Sequence, residues 1–177
     1  MEQADDLRYP IGKLSLERDV TKEKRSTWIA EIAGLPLSLR RAVQGLSAEQ
    51  LDIPYREDGW STRQIVHHLA DAHMNTLTRL KLCLTEHEPT IKPFDQDAWA
   101  RTADVLAVEP HVSLGILDGV HARIAALLGS LAPADFARTF RHPERGPMDV
   151  DHTMQLYAWH GRHHLAQIAA LRRRRDW

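Results

Sequence analysis

The chain has 177 residues, of which 43% are hydrophobic and 27% charged, and a formal net charge of −1. That balance excludes a disordered chain, and the length suffices for one domain over residues 1–177 with a substantial core. The near-neutral charge gives no electrostatic basis for a nucleic-acid or anionic-membrane partner. No apolar run approaches the ~20 residues of a bilayer span. The polar opening Met1–Pro10 lacks a signal-peptide core, so a cytoplasmic protein is expected.

Helical periodicity dominates, and no convincing alternating strand pattern is found. A first helix is predicted from about Thr21 to Gly45, with Trp28, Ile32, Leu35, Leu39 and Val43 apolar and Pro36 expected to kink or break it. Ser47 and Gln50 have capping-box spacing and should open a short turn ending near Leu51, followed by a loop to Gly59. Ser61 and Gln64 repeat that signature, so a second helix should run from Thr62 to about Thr85. Pro89 and Pro93 then predict an irregular stretch from Glu88 to about Val112, closed by Pro110, as a lid or pocket wall. A third helix is predicted over Leu114–Leu131 with Ser113 as its cap, then an irregular loop or short hairpin at Phe140–Pro147, then a last helix from about Asp151 to Arg173. Four long helices with one long crossover fit an all-α four-helix bundle. The Arg172–Arg175 run reads as a solvated helix end. The single cysteine, Cys83, lies in an apolar helical stretch and reads as a buried structural thiol.

Histidine is the unusual component, with 11 residues concentrated in two clusters, His67-His68-…-His73 and His160-…-His163-His164. His160 and His164 stand four residues apart and share a helix face, a spacing at which two imidazoles can chelate one ion. An isolated pair of this kind is more often a solvated surface pair. Here, however, Tyr157, His164, Ile168 and Leu171 form an apolar stripe with His160 at its border. His163 lies further around and is a poorer substitute. On the second helix, phase puts His68 at the edge of the apolar arc and His67 further toward solvent. His73 sits well inside the arc and reads as a hydrogen-bonded core residue, while His121 could face the bundle interior. Two histidines from one helix and His68 from another would give three ligands and an open position, the pattern of a catalytic and not a structural zinc site.

The stretch from Gly59-Trp60-Ser61 through His67-His68-Leu69-Ala70-Asp71-Ala72-His73-Met74-Asn75, together with Tyr157-Ala158-Trp159-His160-Gly161-Arg162-His163-His164, resembles the DinB/YfiT superfamily, in its YfiT branch. The likeness extends to Tyr9-Pro10-Ile11-Gly12, Leu51–Arg56 and Trp99, so it covers nearly the whole chain. It implies an up-and-down four-helix bundle of the DinB/YfiT type with a long crossover loop. It also implies a homodimer and one divalent metal ion per chain, zinc or nickel, on three histidines. The first ligand of that pattern falls eight residues after the tryptophan, on His68, and the others match His160 and His164. What the resemblance implies for activity is either a metal-dependent hydrolase or a transferase that joins a low-molecular-weight thiol to electrophiles.

A thiol transferase is the leading reading: the ion activates a small-molecule thiol for attack on an electrophilic substrate. Hydrolysis through metal-activated water is the alternative. A non-catalytic metal- or ligand-binding bundle is the reading from another class, favoured by the lack of a glutamate base on the His160–His164 helix. Asp71, Asn75 and Arg79 are candidates for supporting a ligand or touching substrate, although Asp71 reads equally well as a solvated partner of His67.

Overall fold

The computed structural model describes residues 7–177. Four long helices form the body: α1 (Lys22–Val43), α3 (Thr62–Thr85), α6 (Pro110–Gly129) and α7 (Val150–Arg175). Between them lie the short helices α2 (Ala48–Leu51), α4 (Gln96–Trp99) and α5 (Ala103–Ala107), a 3₁₀ turn at Pro133–Ala137, and a hairpin of β1 (Thr139–His142) and β2 (Gly146–Asp149). The packed neighbours are α1 with α6 and α7, and α3 with α6 and α7. This arrangement puts α3 beside α7, the two helices that carry the histidine clusters.

The helix starts follow local chemistry. Thr21, Ser61 and Asp149 each accept a backbone N–H of the first turn, and both predicted capping boxes form, at Ser47/Gln50 and Ser61/Gln64. Gly45, with φ at +80°, turns the chain after α1 in a conformation few other residues adopt. Pro36 does not break α1, which runs on to Val43. A proline there has no N–H for the carbonyl of Ile32. His121 of α6 fills that place, donating from Nδ1 to Ile32 O at 2.5 Å.

Three further expectations are corrected. The stretch after Pro93 holds α4 and α5, the first capped by Asp95 Oδ1 accepting from Ala98 N–H. Pro110 closes that stretch as expected, and does so by opening α6 before Val112, since the first helical turn needs no N–H from it. Ser113 is therefore inside the helix, buried, and not its cap. The Arg172–Arg175 end is only partly solvated. Arg172 Nη1 donates to the carbonyls of Ala42 and Gln44 at the end of α1, and Arg174 to that of Tyr55. Of the two readings offered for Phe140–Pro147, the short hairpin is the one formed, with two paired strands of four residues each.

Two apolar clusters fill the bundle. One gathers Trp28, Ile32, Leu80, Cys83, Ile124, Leu128, Phe140 and Met154; the other Leu39, Ile65, Leu69, Leu114, Leu117, Ile168 and Leu171. Along α3, α6 and α7 the residues between the two clusters are His73, His121 and His160–Gln167. A histidine layer thus divides the core. Cys83 is buried, and burial pushes its thiol pKa up, as a structural thiol requires. Among the described residues α6 is the one helix apolar enough by average to cross a membrane, with mean hydropathy 1.4. It nevertheless buries Leu114, Leu117, Ile124 and Leu128 in the bundle, and its Asp118 pairs with Arg40.

Candidate metal centre

His68 of α3 and His160 and His164 of α7 come together at the level of the histidine layer. Their Nε2 atoms converge: His160 Nε2 lies 3.2 Å from that of His68 and 3.2 Å from that of His164. One donor atom from each of the three lies within 4.8 Å of the others. Between His160 and His164, Gly161 packs α7 closely against α1. A Cβ there would stand 2.7 Å from a terminal methyl of Leu35 on α1, which would have to shift to admit it. The Trp60 ring closes one side, 4.4 Å from His68 and 6.1 Å from His164 between centroids.

The donor set fits a divalent ion. Tetrahedral bonds of about 2.0–2.1 Å place imidazole nitrogens roughly 3.3 Å apart, close to the spacing seen. Hydrogen bonding alone fits less well, because one proton on His160 Nε2 serves only one of its two neighbours properly, whereas a cation uses all three lone pairs. Burial is the chief cause holding the three imidazoles uncharged. It pushes His68 down to about 3 and sets His160 and His164 well below the ordinary range. At neutral pH no proton has to leave before an ion binds.

Two networks orient the rings. Gln167 Oε1 accepts from His164 Nδ1–H at 2.8 Å, while its amide nitrogen donates to Arg8 O at 3.0 Å and to His163 Nε2 at 2.9 Å. The Arg8 carbonyl is only an acceptor, so it decides which way the amide faces. That orientation puts the His164 proton on Nδ1 and leaves its Nε2 lone pair free. On the other side His160 Nδ1 meets His73 Nε2 at 3.1 Å. His73 stacks on His121 at 4.7 Å, and His121 is tied to Ile32 O. Each network links a converging imidazole to another part of the chain.

The remaining histidines divide. His73 is fully buried and hydrogen-bonded as expected, and its partner is one of the three converging rings. His121 is buried behind His73, not on the cavity wall. His67 does not point to solvent: it is buried, accepts from the Ser113 hydroxyl at 2.7 Å and donates to Val108 O at 3.1 Å, pinning the start of α6. His163 is also buried, stacked on Trp159 at 4.6 Å and engaged by Gln167, so it stands outside the converging trio. Gln167 was not anticipated. Its spacing, three residues after His164 and four after His163, is the signal that could have marked it.

The three rings open onto a cavity of about 840 Å³. Arg79 lines it; Asp71 and Asn75 do not. The Asn75 amide is spent on the Asp71 carbonyl at 2.9 Å. The Asp71 carboxyl has no hydrogen-bond or ion-pair partner among the described residues, and burial, with Asp104 nearby, pushes its pKa up to about 6. Neither the supporting role at a ligand nor the pairing with His67 is formed.

Known proteins share this architecture. The sequence profile of the DinB superfamily matches residues 32–168. A protein of Geobacillus kaustophilus, named a "putative metal-dependent hydrolase", is 52% identical over 100% of both chains. One of Bacillus cereus with the same description is 49% identical over 98% of this chain and 99% of its own. The solved structure of YfiT from Bacillus subtilis, described as "a probable metal-dependent hydrolase with an unusual four-helix bundle topology", superposes with a TM-score of 0.95 at 42% identity, covering 97% of this chain and 99% of that one. With the profile, the aligned length and the fold in agreement, the chain belongs to the DinB superfamily, among relatives named as metal-dependent hydrolases.

Proposed function

We propose that His68, His160 and His164 hold one divalent ion, zinc or nickel, and that the cavity presents a low-molecular-weight thiol to it for transfer to an electrophile. The convergence of three uncharged Nε2 atoms on the cavity wall carries this reading. When bound, the ion supplies a +2 charge undiminished by its ligands, which lowers the pKa of a thiol or water that reaches it. The protein's own residues set the rest. Gln167 and His73 hold the rings in place, Trp60 covers them, and burial keeps them from competing for protons.

The absence of a base beside the three rings argues for a thiol over water. No carboxylate joins the trio among the described residues. A thiol starts near pKa 8.5 and water near 15.7, so the thiol needs far less help to ionise. Hydrolysis is the second reading, favoured by the names of the relatives. Homodimeric assembly belongs to the same proposal, and a solution mass of twice the 20.2 kDa chain would support it.

The test is loss of free thiol in the presence of monochlorobimane, with metal content measured alongside. The zinc- or nickel-loaded protein should consume thiol, and His68→Ala and His160→Ala should lose both the ion and the activity. Ester turnover without thiol consumption would establish hydrolysis instead.

A further inference from the structure

A cavity of about 840 Å³ is far larger than an ion and one reacting sulfur or oxygen require, so most of its wall faces the rest of the substrate. Arg79 stands on that wall, eleven residues after His68 on α3. Three turns separate the two, so they share a helix face about 16 Å apart along the axis.

Arg79 keeps donor capacity unspent, although the carboxylates of Asp95 and Asp97 line the same cavity. Its Nε is buried without a partner, one terminal nitrogen donates to Lys92 O at 3.2 Å, and the guanidinium lies 5.9 Å from the centre of the Phe94 ring. No carboxylate forms an ion pair with it among the described residues. His142 of β1, buried on the same wall, accepts the Glu144 N–H at Nδ1 at 3.2 Å, so its proton sits on Nε2 and is offered as a donor. Burial first, then the charges of Arg79 and Arg145, keep that ring neutral. Arg145, exposed at the hairpin turn, lines the cavity with no hydrogen bond or ion pair of its own among the described residues. The Glu144 carboxylate is also on this wall but pairs with neither arginine.

We propose that Arg79, His142 and Arg145 form a subsite for an oxyanion of the substrate, a carboxylate or phosphate carried roughly 16 Å from the reacting atom. A guanidinium fork beside a neutral N–H donor matches either group, and two cations without ion-pair partners among the described residues favour its charge. This names the substrate class of the site and rests on the metal-centre reading above. The substrate is an anionic small molecule.

Binding tests this without relying on chemistry. The full-length protein, as purified and again after chelator treatment, is titrated with S-methylglutathione, whose sulfur is blocked, with its uncharged-carboxyl diethyl ester, and with glycerol 3-phosphate. Fluorescence of Trp60 and Trp159, both on the cavity wall, reports occupancy. S-methylglutathione or glycerol 3-phosphate should bind on the order of tenfold tighter than the diester, with or without the chelator. Whichever binds identifies the oxyanion. Arg79→Gln should erase the preference. Arg145→Gln, at an exposed turn where folding is not at stake, should weaken it about threefold. Binding of neither anion, or a preference that survives in both variants, overturns the subsite. Failure of the metal centre would appear separately, in metal content and thiol consumption.

Discussion

Gln167 shows how much can depend on the orientation of one side chain. Its amide serves His164, His163 and the Arg8 carbonyl together, and the carbonyl determines which end faces the His164 ring. Losing such an orienting partner typically lowers metal affinity 10–100-fold. Gln167→Leu is therefore expected to fold but to release zinc to a chelator about tenfold more readily, whereas Gln167→Glu, which still accepts from Nδ1–H, should hold it. A chelator competition titration on the three proteins checks this, and equal affinities would remove Gln167 from the centre. Asp71 teaches the opposite lesson. It lies three residues after His68, yet its carboxyl reaches neither that ring nor the cavity.

Among the elements, α1 depends on α6 for its continuity. Pro36 leaves the Ile32 carbonyl without its helical donor, and His121 supplies one. Removing that donor should cost about 1–3 kcal/mol, the usual penalty for a buried group left unsatisfied. Pro36→Ala restores an N–H to the same carbonyl, so His121→Leu should cost at least about 1 kcal/mol less in that background. Urea unfolding of the two single variants and the double variant measures the coupling. Strict additivity would mean that the proline and the histidine do not share the carbonyl. The hairpin and the 86–94 segment show similar interdependence: the Ile91 N–H donates to Arg141 O, and the Arg141 N–H donates to Pro89 O.

The whole molecule carries its histidines as a layer through the core, and that layer sets its response to acid. His68, His73, His121, His160, His163 and His164 are all held below the ordinary imidazole range, chiefly by burial. The unfolded chain takes up protons near pH 6.5 that the fold cannot accept until His163 and His68 reach about 4 and about 3. Stability is thus complete above pH 6.5 and falls as pH drops below it. Each ring that stays neutral in the fold while charged in the unfolded chain removes about 1.4 kcal/mol per pH unit, so several together are comparable to the full stability of a domain. The metal-free protein should lose its helical circular dichroism steeply, with a midpoint near pH 5, and zinc should move the midpoint lower. A shallow loss confined below pH 3.5 would mean that the buried rings protonate inside the folded state.

The sequence alone determined the four long helices, because periodicity and capping boxes act over a few residues and need no partner. It also determined that His160 and His164 share a face, since four residues make about one helical turn. Tertiary structure decided which neighbouring histidine faces where. His67 and His68, like His163 and His164, differ by about 100° on their helices, and all four end up buried, each against a different element. Which one meets the others at the cavity follows from α3 packing beside α7. The uninterrupted course of α1 through Pro36, the amide orientation of Gln167 and the donor cluster of Arg79 with His142 likewise depend on atoms from 63 to 159 residues away. Contacts at that separation leave no local periodicity to read.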